Sequence, residues 1–242
     1  MNCTGMLTSA LQAIGFQAVA GEVKLRLLPS PWPIDALPPP TASLLSIASK
    51  KSLLAAAGPD SVIVAGTDSV RQAFSAPADG KIKPFTPQLT LPIGMRVSQV
   101  VFSADENFLV LSAEHGGGLA VYDVQALTQG NTQPTFQIAT NGTALRALVP
   151  NPVAETAEYF AVVSMNGELM MANLKTQQFL SGPQGQVLKS GVSCVCWSKK
   201  GKQLLAGLGD GTSYQMTPEG EGKGDIARPP GLEGDQHGKT RC

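Results

Sequence analysis

The chain has 242 residues, 43% of them hydrophobic and 15% charged, with 26 glycines and 18 prolines. That composition is turn-rich and too apolar for a disordered chain. Lys and Arg together number 18, as do Asp and Glu, so the global charge gives no support for a nucleic-acid surface, and no run of about twenty apolar residues offers a membrane span.

Residues 1–20 are mildly apolar but lack a basic leader, and Glu22 and Lys24 follow soon after. The segment is not read as a signal peptide. Residues 21–40 hold a strand and a strap. From Gly21 to Leu28, Val23, Leu25 and Leu27 alternate with Lys24 and Arg26, the pattern of a half-exposed strand. Pro29 to Pro40 carries too many prolines for a helix or a central strand. An extended strap is expected there, anchored by Trp32, with a proline-rich ligand for a partner domain as the alternative.

Between residues 41 and 231 one pattern recurs: strand, polar turn, strand, glycine turn, strand. The first unit, residues 44–74, reads LLSIA, a turn at Lys50-Lys51-Ser52, LLAAA, a turn at Gly58-Pro59-Asp60, then SVIVAG. The second, residues 97–124, runs VSQVVF, a turn from Ser103 to Asn107, FLVLSA, Gly116-Gly117-Gly118 and LAVYDV. The third, residues 144–174, has ALRALVP, a longer turn from Asn151 to Glu158, YFAVVS, Asn166-Gly167 and ELMMANL. The fourth, residues 192–216, has VSCVCW, a basic turn from Ser198 to Lys202, QLLAGL, Gly209-Asp210-Gly211 and TSYQM. The second and fourth align without a gap from Val97/Val192 to Gly116/Gly211, matching Phe102 with Trp197, Ser103 with Ser198 and Leu109 with Leu204.

A repeat of roughly 45 to 55 residues belongs to propeller-like arrays. Blades are covered on both faces by their neighbours, which accounts for apolar runs that barely alternate. Thr132 to Ile138 and Gln177 to Gln186 suit outer strands, and Pro218 to Pro230 suits a connection into a further blade. The expected fold is all-β, a propeller of the seven-bladed type that is incomplete here, with about four blades plus an N-terminal strand. Residues 232–242 read as an aberrant tail in which no strand follows.

The residues that could carry chemistry each have a plain structural reading. Gly207-Leu208-Gly209-Asp210-Gly211 resembles a phosphate loop, but a strand rather than a helix follows it, so it reads as a hairpin turn. Cys194 and Cys196 lie two apart on one strand and read as buried side chains, and with Cys3 and Cys242 they are too unevenly placed for a disulfide framework. With only His115 and His237 available, no catalytic triad and no metal site is expected. Glu155 and Glu158 share a loop without an acid–base constellation around them. Lys199, Lys200 and Lys202 form a basic turn, either solvated or in contact with a partner. Asp225, Glu233 and Asp235 make the stretch after the fourth unit acidic, either for solubility or as a docking spot for a basic partner.

Beyond the repeat, GFQAVAGEVKLRLLPSPWP (Gly15 to Pro33), the stretch from Leu37 to Phe74, VSCVCWSKKGKQLLAGLGDGTSYQMTPEGE (Val192 to Glu221) and IARPPGLEGD (Ile226 to Asp235) closely resemble the N-terminal β-propeller of the nucleoporins on the cytoplasmic filaments of the nuclear pore, in its fungal form. The resemblance covers nearly everything from Gly15 to Asp235. It implies a non-enzymatic platform that docks a DEAD-box RNA helicase at the cytoplasmic side of the pore during mRNA export. It further implies other nucleoporins as partners, no cofactor, no direct contact with nucleic acid and no membrane insertion. About three blades of the family's ring and its phenylalanine-glycine repeats and coiled coil are missing from this sequence, and QHGKTRC departs from the family pattern. Glu233 and Asp235 are the candidate helicase contacts, being acidic and expected to be exposed toward a basic partner. The alternative is a generic propeller scaffold outside the nuclear pore, which predicts GH and WD dipeptides that the units lack.

Overall fold

The computed structural model describes residues 24–226 except 27, 29, 31, 76–81, 95, 114, 117, 141, 181–184 and 187. Strand β1 (Lys24–Arg26) is brought back by the chain to pair in parallel with β5 (Ile82–Pro84). The strap that follows contains one 3-10 turn at Ile34–Ala36. Its half-buried Trp32 lies under the Arg96 guanidinium, 6.0 Å from the ring centroid, a cation–π contact that ties the strap to the body.

Four antiparallel four-stranded sheets follow, three of them built from strands next to one another in the sequence and the first interrupted only by β5 before its outer strand. Sheet I has β2 (Leu45–Ala48), β3 (Leu53–Ala57), β4 (Ser61–Gly66) and β6 (Leu89–Pro92); sheet II has β7 (Val97–Phe102), β8 (Phe108–Ala113), β9 (Leu119–Asp123) and β10 (Phe136–Ile138). Sheet III has β11 (Leu145–Pro150), β12 (Tyr159–Ser164), β13 (Leu169–Asn173) and β14 (Gln178–Phe179), and sheet IV has β15 (Val192–Trp197), β16 (Leu204–Leu208), β17 (Ser213–Met216) and β18 (Gly222–Ile226). Two short helices lie between the third and fourth strands of sheets I and II, α1 (Thr67–Phe74) and α2 (Val124–Thr128). Asp123 caps α2, its carboxylate accepting from the Ala126 N–H at 2.7 Å.

These sheets are the blades of a β-propeller, and successive blades share their cores. On β3, Leu53, Ala55 and Ala57 face sheet II, while Leu54 and Ala56 turn to the other side with Ile63 and Leu28. On β8, Leu109 and Leu111 pack against sheet I and Val110 against sheet III. On β12, Phe160 and Val162 face sheet II, and Ala161 and Val163 face sheet IV. A strand covered on both sides gains by being apolar at every position, because each buried Val or Leu contributes roughly 1.5–3 kcal/mol. This is why the runs barely alternate.

The first strand of each sheet is the innermost one: β7 touches both β2 and β11 of its neighbours. Near its start, the register of the innermost strand shifts by one residue in three sheets, between Val97 and Gln99, Leu145 and Ala147, and Val192 and Cys194. These repeated bulges re-aim side chains toward the adjacent blades. The Gln99 amide donates to the Thr41 and Arg146 carbonyls at 2.8 and 3.1 Å, and the Arg146 guanidinium donates to the Ser193 carbonyl. Polar side chains thus bridge blade to blade along the innermost strands.

Two expectations need correction. Pro218 to Pro230 is not wholly a connection, because Gly222–Ile226 forms β18, the outer strand of sheet IV. The two strand cysteines are not both buried. Cys196 is exposed with a free thiol, and Cys194 is half-buried and held in a disulfide. The physical reason is that no sheet among the described residues packs on the side of sheet IV away from sheet III, so the outward positions of β15 meet solvent.

Candidate protein-docking surface

One face of the propeller carries the turns between first and second strands, and these turns share a design. Their fourth residue has a positive φ in three blades: Ser52 (52°), Glu106 (61°) and Gly201 (65°). The amide of that residue reaches back to the carbonyl of the first, Ser49, Ser103 or Ser198. The serine hydroxyl then fixes the far side, with Ser103 Oγ accepting from the Phe108 N–H at 3.0 Å and Ser198 Oγ from the Gln203 N–H at 3.2 Å. The gap-free alignment of the second and fourth units is therefore an alignment of hydrogen bonds as well.

Two of these turns also grip a neighbouring one. Glu106 is buried, and its two carboxylate oxygens accept from the backbone N–H groups of Lys50 at 3.0 Å and Lys51 at 2.8 Å in the preceding blade. Asn151, fully buried at the position matching Ser103, donates from Nδ2 to the Gly201 carbonyl at 2.8 Å and accepts from the Val153 amide and Thr156 hydroxyl.

Charge on this face is segmented. Exposed lysines mark the turns of sheets I and IV (Lys50, Lys51, Lys199, Lys200 and Lys202), and carboxylates mark those of sheets II and III. The longer Asn151–Glu158 loop leaves a groove of about 190 Å³ between sheets II and III, floored by Phe108, Ala157 and Leu174 and rimmed by Asp105, Glu155 and Glu158. Lys175 closes one side, its Nζ 2.7 Å from Glu158 Oε1, and this hydrogen bond and charge raise the lysine above its usual range. Burial, then the Glu219 and Glu158 charges, push the nearby Tyr159 hydroxyl up. These are groups of a polar protein surface: among the described residues no group of three or more His, Cys, Asp or Glu is placed to hold a metal ion.

Asp105 gives this surface a pH dependence. Burial raises its carboxyl, but hydrogen bonds from the Ser103 hydroxyl and from the Asn107 amide and side chain outweigh that and hold it below 3.8. A depressed folded-state value contributes stability that is present above the unfolded value and lost as the pH falls through the folded one. Asp105→Asn is therefore expected to lower the urea midpoint at pH 7 and to narrow the gap from wild type at pH 3. An equal gap at both pH values would contradict the assignment.

The residues singled out from the sequence fall in different places. Lys199, Lys200 and Lys202 are exposed on the turn face, and His115 is exposed beside the second glycine turn. Asp225 belongs to strand β18 rather than to an acidic loop. Glu233 and Asp235 lie outside the described residues. The grip of Glu106 on Lys50 and Lys51 was not foreseen; it joins residues 55 and 56 apart, and the only hint was an acidic residue at a glycine position of the aligned repeat.

Known proteins share this architecture. Residues 38–240 match the model of the NUP159/214 beta propeller family. Nucleoporin NUP159 of Chaetomium thermophilum is 56% identical over 228 residues, which is 93% of this chain and 15% of that protein's length. A crystal structure of the N-terminal domain of Nup159 superposes with a TM-score of 0.57 at 18% identity, covering 81% of this chain and 47% of that one. A chain in a solved S. cerevisiae complex of Dbp5 with Nup159, Gle1, IP6 and ADP gives a TM-score of 0.60 at 16% identity, covering 88% of this chain and 56% of that one. At these identities the two structures speak for the fold alone.

Proposed function

Because the chain belongs to the NUP159/214 β-propeller family, we propose that it acts as a non-catalytic nuclear-pore platform that docks a DEAD-box RNA helicase at the cytoplasmic side of the pore in support of mRNA export. The similarity to nucleoporin NUP159 along almost the whole chain carries this reading, and the solved complex containing Dbp5 and Nup159 indicates the class of partner. Rigid, mutually braced blades with charged turns suit protein docking, since electrostatic complementarity gives specificity and a fast approach without chemistry. Other nucleoporins are further partners in this reading. Glu233 and Asp235 are the proposed contacts for a basic helicase surface.

The test is capture of the purified helicase by the immobilised chain across a salt series. Binding is expected to weaken as salt rises, and the Glu233→Lys, Asp235→Lys double variant to bind less and with a flatter salt dependence. Absence of capture at low salt sinks the helicase reading, whereas unchanged capture by the double variant removes only these two contacts.

A further inference from the structure

The groove of about 190 Å³ on the turn face lies between sheets II and III. Each of those sheets packs on a further described blade, sheet II on sheet I and sheet III on sheet IV. The shape of the groove is therefore set in the interior of the array. Its floor is apolar, made by the half-buried Phe108 at the start of β8 with the buried Ala157 and Leu174. Phe136 meets the Phe108 ring edge-on, with centroids 6.3 Å apart and planes at 66°, a favourable aromatic pairing that holds the ring in place.

Around this floor stand the carboxylates of Asp105, Glu155 and Glu158, with Lys175 as the cation among them. Lys175 shows what the rim accepts: its Nζ sits 2.7 Å from Glu158 Oε1 while most of the lysine stays in solvent. The other two carboxylates have no such cation. Asp105 is held by the Ser103 hydroxyl and by the Asn107 amide and side chain. Burial raises its carboxyl, but these hydrogen bonds outweigh that, so it is charged at neutral pH. Among the described residues Glu155 has neither a side-chain hydrogen bond nor an ion pair. An aromatic floor beside such carboxylates is a setting for a guanidinium. Its plane stacks on the ring, its fork of N–H donors reaches more than one carboxylate, and its hydrocarbon stem covers apolar surface.

We propose that this groove docks an arginine presented by a basic segment of a partner protein, with the guanidinium against Phe108 between Asp105 and Glu155 and the stem over Ala157 and Leu174. The carboxylates select the sign of the occupant. The ring selects arginine over lysine, whose ammonium is a point charge with no plane to stack. The site shares no residue with Glu233 and Asp235, so this assignment and the helicase reading can each fail without the other.

The probe is the peptide acetyl-Gly-Ser-Arg-Ser-Gly-amide, titrated into the ¹⁵N-labelled 242-residue chain while amide shifts are recorded. Saturable shifts are expected at Asp105, Phe108, Glu155 and Lys175. The exposed Asp210 and Glu221, which line no part of the groove, should stay unchanged. Citrulline in place of the arginine keeps the shape and loses the charge, and should weaken binding about tenfold, the loss of one charge-assisted hydrogen bond. Lysine in the same place should bind severalfold more weakly than arginine. Glu155→Gln, a change on an exposed loop, should weaken the arginine peptide about threefold, as for an exposed ion pair, with the melting temperature unaltered. No saturable shift at the groove, equal shifts at Asp210 and Glu221, equal binding by the citrulline peptide, or unchanged binding by Glu155→Gln would each overturn the proposal. Equal binding by the lysine peptide would also overturn it, by reducing the groove to a general cation site. Because the main variants are in the peptide, the outcome does not depend on a mutant protein folding.

Discussion

Gly118→Ala is expected to destabilise the protein by about 3–4 kcal/mol, combining a left-handed backbone penalty with a clash that cannot relax. Gly118 has φ +56°, and a Cβ there would lie 2.2 Å from the Ile138 carbonyl oxygen and 3.0 Å from the Ala139 Cα. Those atoms belong to the outer strand β10 and the residue after it, and the Gly118 N–H itself bonds Thr140 Oγ1 at 3.2 Å. Relief would require moving β10 away from β9. At Gly201, by contrast, the obstacle is the Asn151 side chain, 2.2 Å away. Followed by circular dichroism, Gly118→Ala should melt about 10 °C lower, given roughly 2–4 °C per kcal/mol for a chain of this size. A shift below about 3 °C, less than one or two kcal/mol on that scale, would show that β10 yields easily.

Trp197 supplies the second large effect. Its ring belongs to the core between sheets III and IV, it is 8% exposed, and its indole N–H donates to the Val149 carbonyl at 3.1 Å. Trp197→Ala removes the largest side chain of that interface and is expected to cost about 3–5 kcal/mol. Trp197→Phe keeps much of the packing but leaves the Val149 carbonyl without its donor, for a loss of about 1–3 kcal/mol. The ordering Ala worse than Phe worse than wild type, measured as urea midpoints, checks both parts. Equal losses would mean that the hydrogen bond contributes nothing beyond packing.

Much of the fold was legible because the blades bury both faces. Leu53–Ala57 announces a strand by a short, wholly apolar run between two turns and Val192–Trp197 by its valines and tryptophan, and the glycine turns between strands are set by backbone sterics that local sequence records. The outer strands were harder to see. GKGDI of β18 has two glycines, a lysine and an aspartate and becomes a strand only by pairing with β17, since an edge strand tolerates polar residues that a central one does not. Helix α1 was missed because Thr67 to Phe74 follows directly on β4 and reads as its continuation. Its last residue but three, Arg71, pairs with Asp68 one turn earlier at 3.3 Å, a spacing that signals a helix once it is looked for. The docking surface was the least legible part. Lysine turns and acidic turns are visible in the sequence, but the bond of Glu106 to the backbone of a turn 55 residues earlier depends on how two blades face each other, which no local pattern encodes.

The apolar interior is not one mass but a series of separate clusters, each shared by adjacent sheets. Cohesion is therefore a chain of nearest-neighbour couplings, as in other stacked repeats. Loosening one sheet lowers the protection of its immediate neighbours and fades with each further step, so amide exchange should be graded along the array rather than uniform. Because each sheet is assembled from one continuous stretch of chain, interrupted only by β5 in sheet I, any of them can order first and template the next.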